Sequence, residues 1–94
     1  MKQFHVYIMA SLSGTLYIGF TDNLVRRIWE HKNDVVEGFT KKYQCHKLVY
    51  FEEYYDPTTG LEREIQLKKW RRDKKENLIK TLNSNWKDLY SEIV

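Results

Sequence analysis

Two short segments rich in β-branched and aromatic residues, close together near the N-terminus, most constrain the fold of this chain. Residues 4–10 and 15–19 both have the composition of β-strands. The four residues between them, 11–14, end in glycine and are typical of a turn. The pattern therefore predicts an antiparallel β-hairpin. Gly19 ends the second strand, at a position where a Cβ atom would crowd any approaching group.

An amphipathic helix is predicted directly after the hairpin. Residues 23–32 place apolar side chains along one stripe, and Thr21 or Asp22 is suited to cap the helix N-terminus. The segment that follows, residues 33–46, contains Gly38 and mixed polar residues. We therefore predict that this segment is an irregular connection without regular secondary structure.

The second half of the chain predicts one more strand and two helices. Residues 47–54 form the strand, and Thr58 or Thr59 is suited to cap a long helix over residues 61–75. A second amphipathic helix follows at about 76–83, and the last residues again have helical spacing. The order ββαβαα predicts an α+β fold with a small, three-stranded, mainly antiparallel sheet flanked by helices.

Chain length and composition limit the classes of protein that the sequence can represent. Its 94 residues suffice for one small domain, residues 1–94, with one modest core. No apolar run approaches the ~18 residues of a membrane span, and the first residues lead into a strand rather than a signal peptide. The single Cys45 suits a reducing cytoplasm, and with His46 it supplies too few ligands for zinc.

Positive charge is concentrated in one short stretch. Residues 1–62 carry seven Lys/Arg and eight Asp/Glu, whereas residues 63–80 carry eight Lys/Arg and three Asp/Glu. Such a cluster is typical of a surface that binds a polyanion, although a solvated helix face with solubilising lysines has the same pattern. The basic residues predicted to contact nucleic acid are Arg26, Lys68, Lys69, Arg71, Arg72, Lys74 and Lys75.

Two tyrosines in the hairpin are the first candidates for a catalytic site. Tyr7 and Tyr17 lie on adjacent strands, and a turn of four to five residues would bring their phenolic oxygens together across the ladder. Tyrosine pairs of this kind also occur as ordinary packing in a sheet. The hairpin alone therefore leaves both interpretations open.

Arg27 and His31 are four residues apart and share one face of the first helix. Arginine presents a planar fork of donors that matches phosphate oxygens, and histidine can donate to a leaving oxygen. The structural alternative is that Arg27 pairs with Glu30 or Asp34 and that His31 is a packed core histidine.

Glu64 is the candidate metal ligand on the long basic helix. Mg²⁺ is usually held by one or two carboxylates together with water and substrate phosphate. The same glutamate would be expected to form an ordinary i,i+4 ion pair with Lys68. Glu52 and Glu53 are competing ligands, but adjacent strand positions place them on opposite faces.

Taken in order along the chain, these motifs resemble the GIY-YIG nuclease superfamily, and in particular its small stand-alone bacterial members of the UPF0213 type. The tripeptide 17–19 is the second half of the signature. The series then continues through Gly19, Thr21, Asn23, Leu24, Arg27, Ile28 and His31, and later through 47–50, Glu64, 68–71 and 86–89. Residues 5–7 depart from the first half of the signature, with His-Val-Tyr in place of Gly-Ile-Tyr, and Ser84 follows Asn83 where small members often have proline.

The resemblance implies a DNA endonuclease that is structure-selective or weakly sequence-specific and acts in DNA repair or recombination, with RNA as an alternative substrate. The implied active site contains Tyr7, Tyr17, Arg27, His31 and Glu64, with one Mg²⁺ or Mn²⁺ bound by Glu64. Free tyrosine has a pKa near ~10, so a tyrosine base at neutral pH would need a downward shift of about three units, or roughly 4 kcal/mol. We therefore expect Tyr7 or Tyr17 to orient the attacking water.

Two other classes of function fit the same sequence. The basic helix at residues 68–75 would also serve a nucleic-acid-binding module that has no catalytic turnover. A protein-interaction domain whose basic face meets an acidic partner is a third interpretation. Strongly salt-dependent binding to DNA or RNA would distinguish the second class from the third.

Overall fold

The computed structural model describes residues 2–94 and confirms the predicted α+β fold. Its elements follow in the order β1 (Phe4–Ala10), β2 (Leu16–Thr21), α1 (Leu24–Lys32), α2 (Phe39–Tyr43), β3 (Lys47–Tyr54), α3 (Pro57–Lys69), α4 (Arg72–Leu82) and α5 (Tyr90–Ile93). The three strands form one antiparallel sheet in the order β2-β1-β3. No helix in the described part of the chain is both long and apolar enough to cross a membrane.

The helices differ from the sequence-based prediction in three places. The segment 33–46, predicted to be an irregular connection, contains the short helix α2. Helix α3 begins at Pro57 and ends at Lys69, whereas the sequence predicted a helix over 61–75. Helix α4 then begins at Arg72, because Trp70 and Arg71 adopt extended backbone conformations that interrupt the helical hydrogen bonds.

The helix caps explain part of these differences. Asn23 caps α1 by accepting from the backbone N–H of Arg26, in place of the predicted Thr21 or Asp22. Asp56 caps α3 by accepting from the backbone N–H of Thr59, in place of the predicted Thr58 or Thr59. Proline suits the first helical position because its fixed φ is already helical and the N–H that it lacks would have no partner there.

The two faces of the sheet support two separate cores. On one face, Val6, Ile8 and Ala10 of β1 are buried against α3 and α4, with Leu67 and Ile79 as the main helix contacts. On the other face, alternate residues of β1 pack with α1 and the C-terminal segment. Both faces of β1 are therefore buried, so any functional side chain that it carries lies within a packed layer.

The C-terminal segment is fastened to β3 at a β-bulge. Ile8 pairs with Tyr50 and Met9 pairs with Leu48, which leaves Val49 as the extra residue of β3. The buried side chain of Asn83 donates to the carbonyl oxygen of Val49 at 3.1 Å, so this carbonyl has a partner. The backbone groups of Leu48 are also bonded to the C-terminal segment, through the side chain of Asp88 and the backbone N–H of Leu89.

Candidate active site

The two hairpin tyrosines lie on the face of the sheet that α1 covers. Tyr7 is opposite Gly19 in the ladder, and Tyr17 is opposite Met9, so the two tyrosines are diagonal neighbours. Their ring centroids are 6.4 Å apart. Tyr7 is almost fully buried and Tyr17 is half-buried. The hairpin therefore brings both phenols to one place, with Tyr17 nearer to solvent.

Gly19 provides the space that the Tyr7 ring occupies. A Cβ atom at Gly19 would lie 2.4 Å from both Cζ and Oη of Tyr7, closer than Cβ atoms approach other atoms in proteins. Gly19 is itself buried within β2, rather than at its end as the sequence suggested. The absence of a side chain at this position therefore lets the Tyr7 hydroxyl pass beneath the second strand.

His31 joins Tyr7 to the segment that follows α1. Oη of Tyr7 and Nε2 of His31 are 2.7 Å apart, and Nδ1 of His31 is 3.0 Å from Oγ1 of Thr40. A neutral imidazole has one donor and one acceptor nitrogen, so the two hydroxyl groups complete a directed chain of hydrogen bonds. Burial, with the nearby charge of Arg27 adding to it, lowers the pKa of His31 to about 4. The ring is therefore neutral near pH 7.

Arg27 lies one helical turn before His31 and approaches the same tyrosine. Its guanidinium is close enough to the Tyr7 hydroxyl to interact with it, and Nη1 is 3.4 Å from Oε1 of Glu30. Partial burial would lower the pKa of Arg27, but the hydrogen bonds and charges of Tyr7 and Glu30 outweigh burial and raise it. Arg27 thus carries a permanent positive charge beside Tyr7, while part of its side chain remains open to solvent.

Burial also keeps the Tyr7 hydroxyl protonated. Desolvation raises the pKa of Tyr7 well above its usual value, and the opposing interactions with Arg27 are weaker. A phenolate at this position would need a large compensating positive charge. In this arrangement the Tyr7 oxygen therefore acts as a hydroxyl group that donates or accepts hydrogen bonds.

Glu64 reaches this region from a helix that packs on the other face of the sheet. Its negative charge raises the pKa of Tyr7, so the carboxylate lies within electrostatic reach of the phenol. The side chain is largely buried, and Oε2 is 3.2 Å from Nζ of Lys68. Glu64 therefore interacts electrostatically with Tyr7 and also forms the i,i+4 ion pair that the sequence suggested.

The donor set near Tyr7 fits a metal held mainly by water and substrate. Within residues 2–94, no three His, Cys, Asp or Glu side chains converge on one point, so there is no closed protein cage. The carboxylate of Glu64 is a hard oxygen donor of the kind that Mg²⁺ accepts alongside water and phosphate. Glu52 is not a competing ligand, because it accepts from Arg63, Tyr50 and Tyr54 on the other face.

A family model describes most of the chain. The GIY-YIG catalytic domain matches residues 3–77, which include the hairpin tyrosines, the arginine and histidine of α1, and Glu64. This chain belongs to the GIY-YIG family. The assignment indicates a nuclease-type domain, in agreement with the ordered motifs of the sequence.

Small proteins of the UPF0213 group are similar to this GIY-YIG domain over nearly their whole length. A UPF0213 protein of Clostridium perfringens is 34% identical over 89 residues, which cover 95% of this chain and 96% of that protein. A UPF0213 protein of Staphylococcus saprophyticus is 33% identical over 79 residues, covering 84% and 96% of the two chains. The solution NMR structure of a UPF0213 protein from Bacillus halodurans shares the fold, with a TM-score of 0.60 at 24% identity and 92% coverage of each chain.

The predicted nucleic-acid-binding residues of this GIY-YIG domain lie mainly on exposed surface, and several have acidic partners. Lys68 pairs with Glu64, Arg71 with Asp73, and Arg72 with Glu76. Nζ of Lys74 lies 4.2 Å from the ring centroid of Trp70. The residues without a described acidic partner are Arg26, Lys69, Lys74 and Lys75.

Two residues beside the site were missed by sequence analysis, and both belong to α2. Thr40 is buried and bonds to His31, while Phe39 stacks on Tyr17 with ring centroids 6.0 Å apart. The available signal was an aromatic pair at helical spacing, Phe39 and Tyr43, directly after Gly38. A helix of five residues gives too short a pattern for periodicity to reveal it.

We predict that His31 remains neutral until the pH approaches 4. The unfolded chain binds a proton at this histidine near pH 6.5, whereas the folded chain binds it only near pH 4. This residue's contribution to stability is therefore complete above pH 6.5 and is lost as the pH falls from 6.5 to 4, by about 3 kcal/mol in total. NMR titration of the imidazole resonances and urea unfolding at several pH values measure the two quantities.

The variant His31→Gln provides the control for this titration. It should lose less unfolding free energy than the unmodified protein between pH 7 and pH 4, because glutamine does not titrate there. An inflection near pH 6.5 in the resonances of the His31 imidazole of the folded protein would contradict the prediction.

Proposed function

We propose that this chain is a divalent-metal-dependent DNA endonuclease that hydrolyses phosphodiester bonds. The observation that supports the proposal most strongly is a group of four side chains on one face of the sheet, which we call the tyrosine cluster: Tyr7, Tyr17, Arg27 and His31. The Glu64 carboxylate interacts electrostatically with Tyr7. Phosphodiester hydrolysis needs an oriented water, a cation for the developing charge and a site for a metal ion. Together with Glu64, this cluster offers a group for each role.

In the proposed mechanism, the oxygen of a water molecule bonds to phosphorus as the P–O bond to the leaving oxygen, opposite it, breaks. The water's proton passes to solvent, and the leaving oxygen takes up a proton from solvent. Because burial raises the pKa of Tyr7, its hydroxyl orients the water or the phosphate by hydrogen bonding rather than acting as a phenolate. Tyr17, which is closer to solvent, is the alternative group for this role. His31 holds the Tyr7 hydroxyl in a fixed direction through their 2.7 Å hydrogen bond.

Charge stabilisation is assigned to Arg27 and Glu64. Arg27 keeps its charge next to Tyr7 and presents donors to the non-bridging phosphate oxygens as negative charge accumulates. Glu64 would hold Mg²⁺ or Mn²⁺, and the bound ion would supply Lewis-acid polarisation of the phosphate and leaving oxygen.

The basic helices support nucleic acid as the substrate. Most predicted binding residues on α3 and α4 are exposed, which suits contacts with the phosphate backbone. Such contacts carry little base information, so we propose structure-selective or weakly sequence-specific cleavage, by a cytoplasmic protein that acts in DNA repair or recombination.

The ion pair between Glu64 and Lys68 favours a second candidate, a nucleic-acid-binding module without turnover. The carboxylate already has a cationic partner at 3.2 Å, and a metal ion would compete with this lysine for its negative charge. This module would bind DNA with strong salt dependence and would form no product at any metal concentration.

A nicking assay with Glu64→Gln tests the proposed function. The substrates are plain duplex, nicked, flapped and branched DNA, and Mg²⁺ or Mn²⁺ is titrated for each. The unmodified protein should give product only with metal, and Glu64→Gln should lower the rate about 100-fold because the neutral amide binds the ion poorly.

Glu62→Gln is the matched control on the same helix. Glu62 is exposed and lies outside the tyrosine cluster, so Glu62→Gln should cleave DNA at the same rate as the unmodified protein. Equal activity in Glu64→Gln and Glu62→Gln would overturn the proposal. Salt-sensitive binding with no metal-dependent product from any substrate would establish the binding module instead.

A further inference from the structure

Two aromatic rings on α2 are exposed beside the candidate site. Phe39 and Tyr43 retain 44% and 43% of their accessible surface, although large aromatic side chains are usually highly buried. They are four residues apart on the helix, and their ring centroids are 4.6 Å apart. We call this pair the α2 platform. Nearly half of each side chain is open to solvent, so part of each ring is available to a ligand.

The α2 platform continues a row of aromatic rings that begins at the tyrosine cluster. The rings of Phe39 and Tyr17 are stacked with an interplanar angle of 29°. The ring centroids of Tyr17 and His31 are 5.5 Å apart. Thr40, between the two platform residues, is buried and bonds to Nδ1 of His31. The helix that carries the exposed rings is therefore fixed in position relative to Tyr7 and Tyr17.

Positive charge accompanies the α2 platform. A shallow groove is lined by Leu16, Tyr17, Ile18, Phe39, Lys68 and Lys75. In addition, Nζ of Lys42 lies 5.3 Å from the centroid of the Tyr43 ring. Aromatic rings flanked by lysines suit single-stranded nucleic acid, because the rings can stack on bases while the lysines contact the phosphates of the backbone. An apolar protein partner would offer no counter-charge to Lys42 and Lys75, which have no described acidic partner.

We propose that the α2 platform stacks an unpaired base of a DNA strand whose neighbouring phosphate lies at the tyrosine cluster. This assignment rests on the proposed function for the identity of that phosphate. Bases within a duplex already stack on each other, whereas bases in a single-stranded segment are free to stack on aromatic side chains. The preferred substrate is therefore DNA with a single-stranded segment at the cleavage point.

Measuring DNA binding in the absence of metal separates the preference for a single strand from the cleavage reaction. Fluorescein-labelled oligonucleotides are titrated in EDTA at fixed salt, first as a single strand and then as the blunt duplex of the same sequence. The unmodified protein should bind the single strand about tenfold more tightly. A 2-aminopurine base placed in the strand should also change its fluorescence on binding, because that signal reports the stacking of the base.

The double variant Phe39→Leu/Tyr43→Leu removes both rings and keeps apolar side chains. Its affinity for the single strand should fall about tenfold, while its affinity for the duplex and its salt dependence should be unchanged. Tyr43→Phe keeps the ring and should retain the preference for the single strand, which separates stacking from folding of α2. Tyr55→Leu is the matched control, because Tyr55 is 57% exposed but lies between β3 and α3.

Different results would overturn the two proposals. An equal loss on single strand and duplex, or no loss with Phe39→Leu/Tyr43→Leu, would overturn the α2 platform as a stacking site. Loss of the preference in Tyr43→Phe or Tyr55→Leu would overturn it as well. A protein that shows the predicted preference in EDTA, but no cleavage with metal, would contradict the proposed nuclease function and leave the stacking site supported.

Discussion

Replacing Arg27 by alanine should lower the rate of metal-dependent DNA cleavage about 100-fold or more. The guanidinium is held next to Tyr7 and retains its charge there, so its donors are already oriented before substrate binds. A group that acts mainly on charge developing in the transition state affects kcat more than the affinity for substrate. Single-turnover cleavage at saturating protein, together with substrate binding in EDTA, measures the two effects separately.

Arg26→Ala is the control for this prediction. Arg26 is the adjacent arginine of α1, but it is exposed and lies about 100° around the helix from Arg27, so its loss should weaken DNA binding slightly and leave the single-turnover rate unchanged. Arg27→Lys should recover part of the rate, because lysine retains the charge without the planar fork of donors. Similar single-turnover rates for Arg27→Ala and Arg26→Ala would contradict the assigned role.

Gly19→Ala should reduce stability by about 1–3 kcal/mol and cleavage by about 100-fold. The added methyl group would lie 2.4 Å from the end of the Tyr7 ring, and this ring is buried and hydrogen-bonded to His31. Either the strand or the ring has to move, and both movements displace the hydroxyl from its position. Urea unfolding measures the loss of stability, and the nicking assay measures the loss of rate.

A compensating variant separates the steric effect from a general effect on the strand. Gly19→Ala combined with Tyr7→Leu removes the ring that the methyl group would meet, so the two stability losses should be less than additive. Activity should remain lost because the hydroxyl is absent. Strict additivity would show that the methyl group destabilises the protein without contacting Tyr7.

The parts of the site that follow from helical and strand periodicity could be predicted from sequence. Spacing alone placed Arg27 and His31 on one face of α1, and the length of the hairpin placed Tyr7 near Tyr17. The relation between Glu64 and Tyr7 could not be derived in this way. Helix α3 packs against the opposite face of the sheet, so the approach of its carboxylate depends on tertiary packing, and sequence analysis supplied this residue through family resemblance.

The errors have two causes, which are local competition between possible caps at the start of α3 and tertiary contacts at α2. Asp56 followed by proline makes a stronger N-terminus than Thr58 or Thr59, because a carboxylate accepts from the free N–H groups while proline fixes the first helical φ. Helix α2 is held by tertiary contacts, with Thr40 bonded to His31 and the ring of Phe39 stacked on that of Tyr17. Neither contact has a signal in the local sequence.

The attachment of the C-terminal segment to β3 has a consequence for self-association. An outer strand whose N–H and C=O groups are free can pair with the strand of another molecule and extend the sheet without limit. Here the side chains of Asn83 and Asp88, together with the backbone of Leu89, occupy those groups at Leu48 and Val49. The C-terminal segment thus prevents a strand of another molecule from pairing with β3 at Leu48 and Val49.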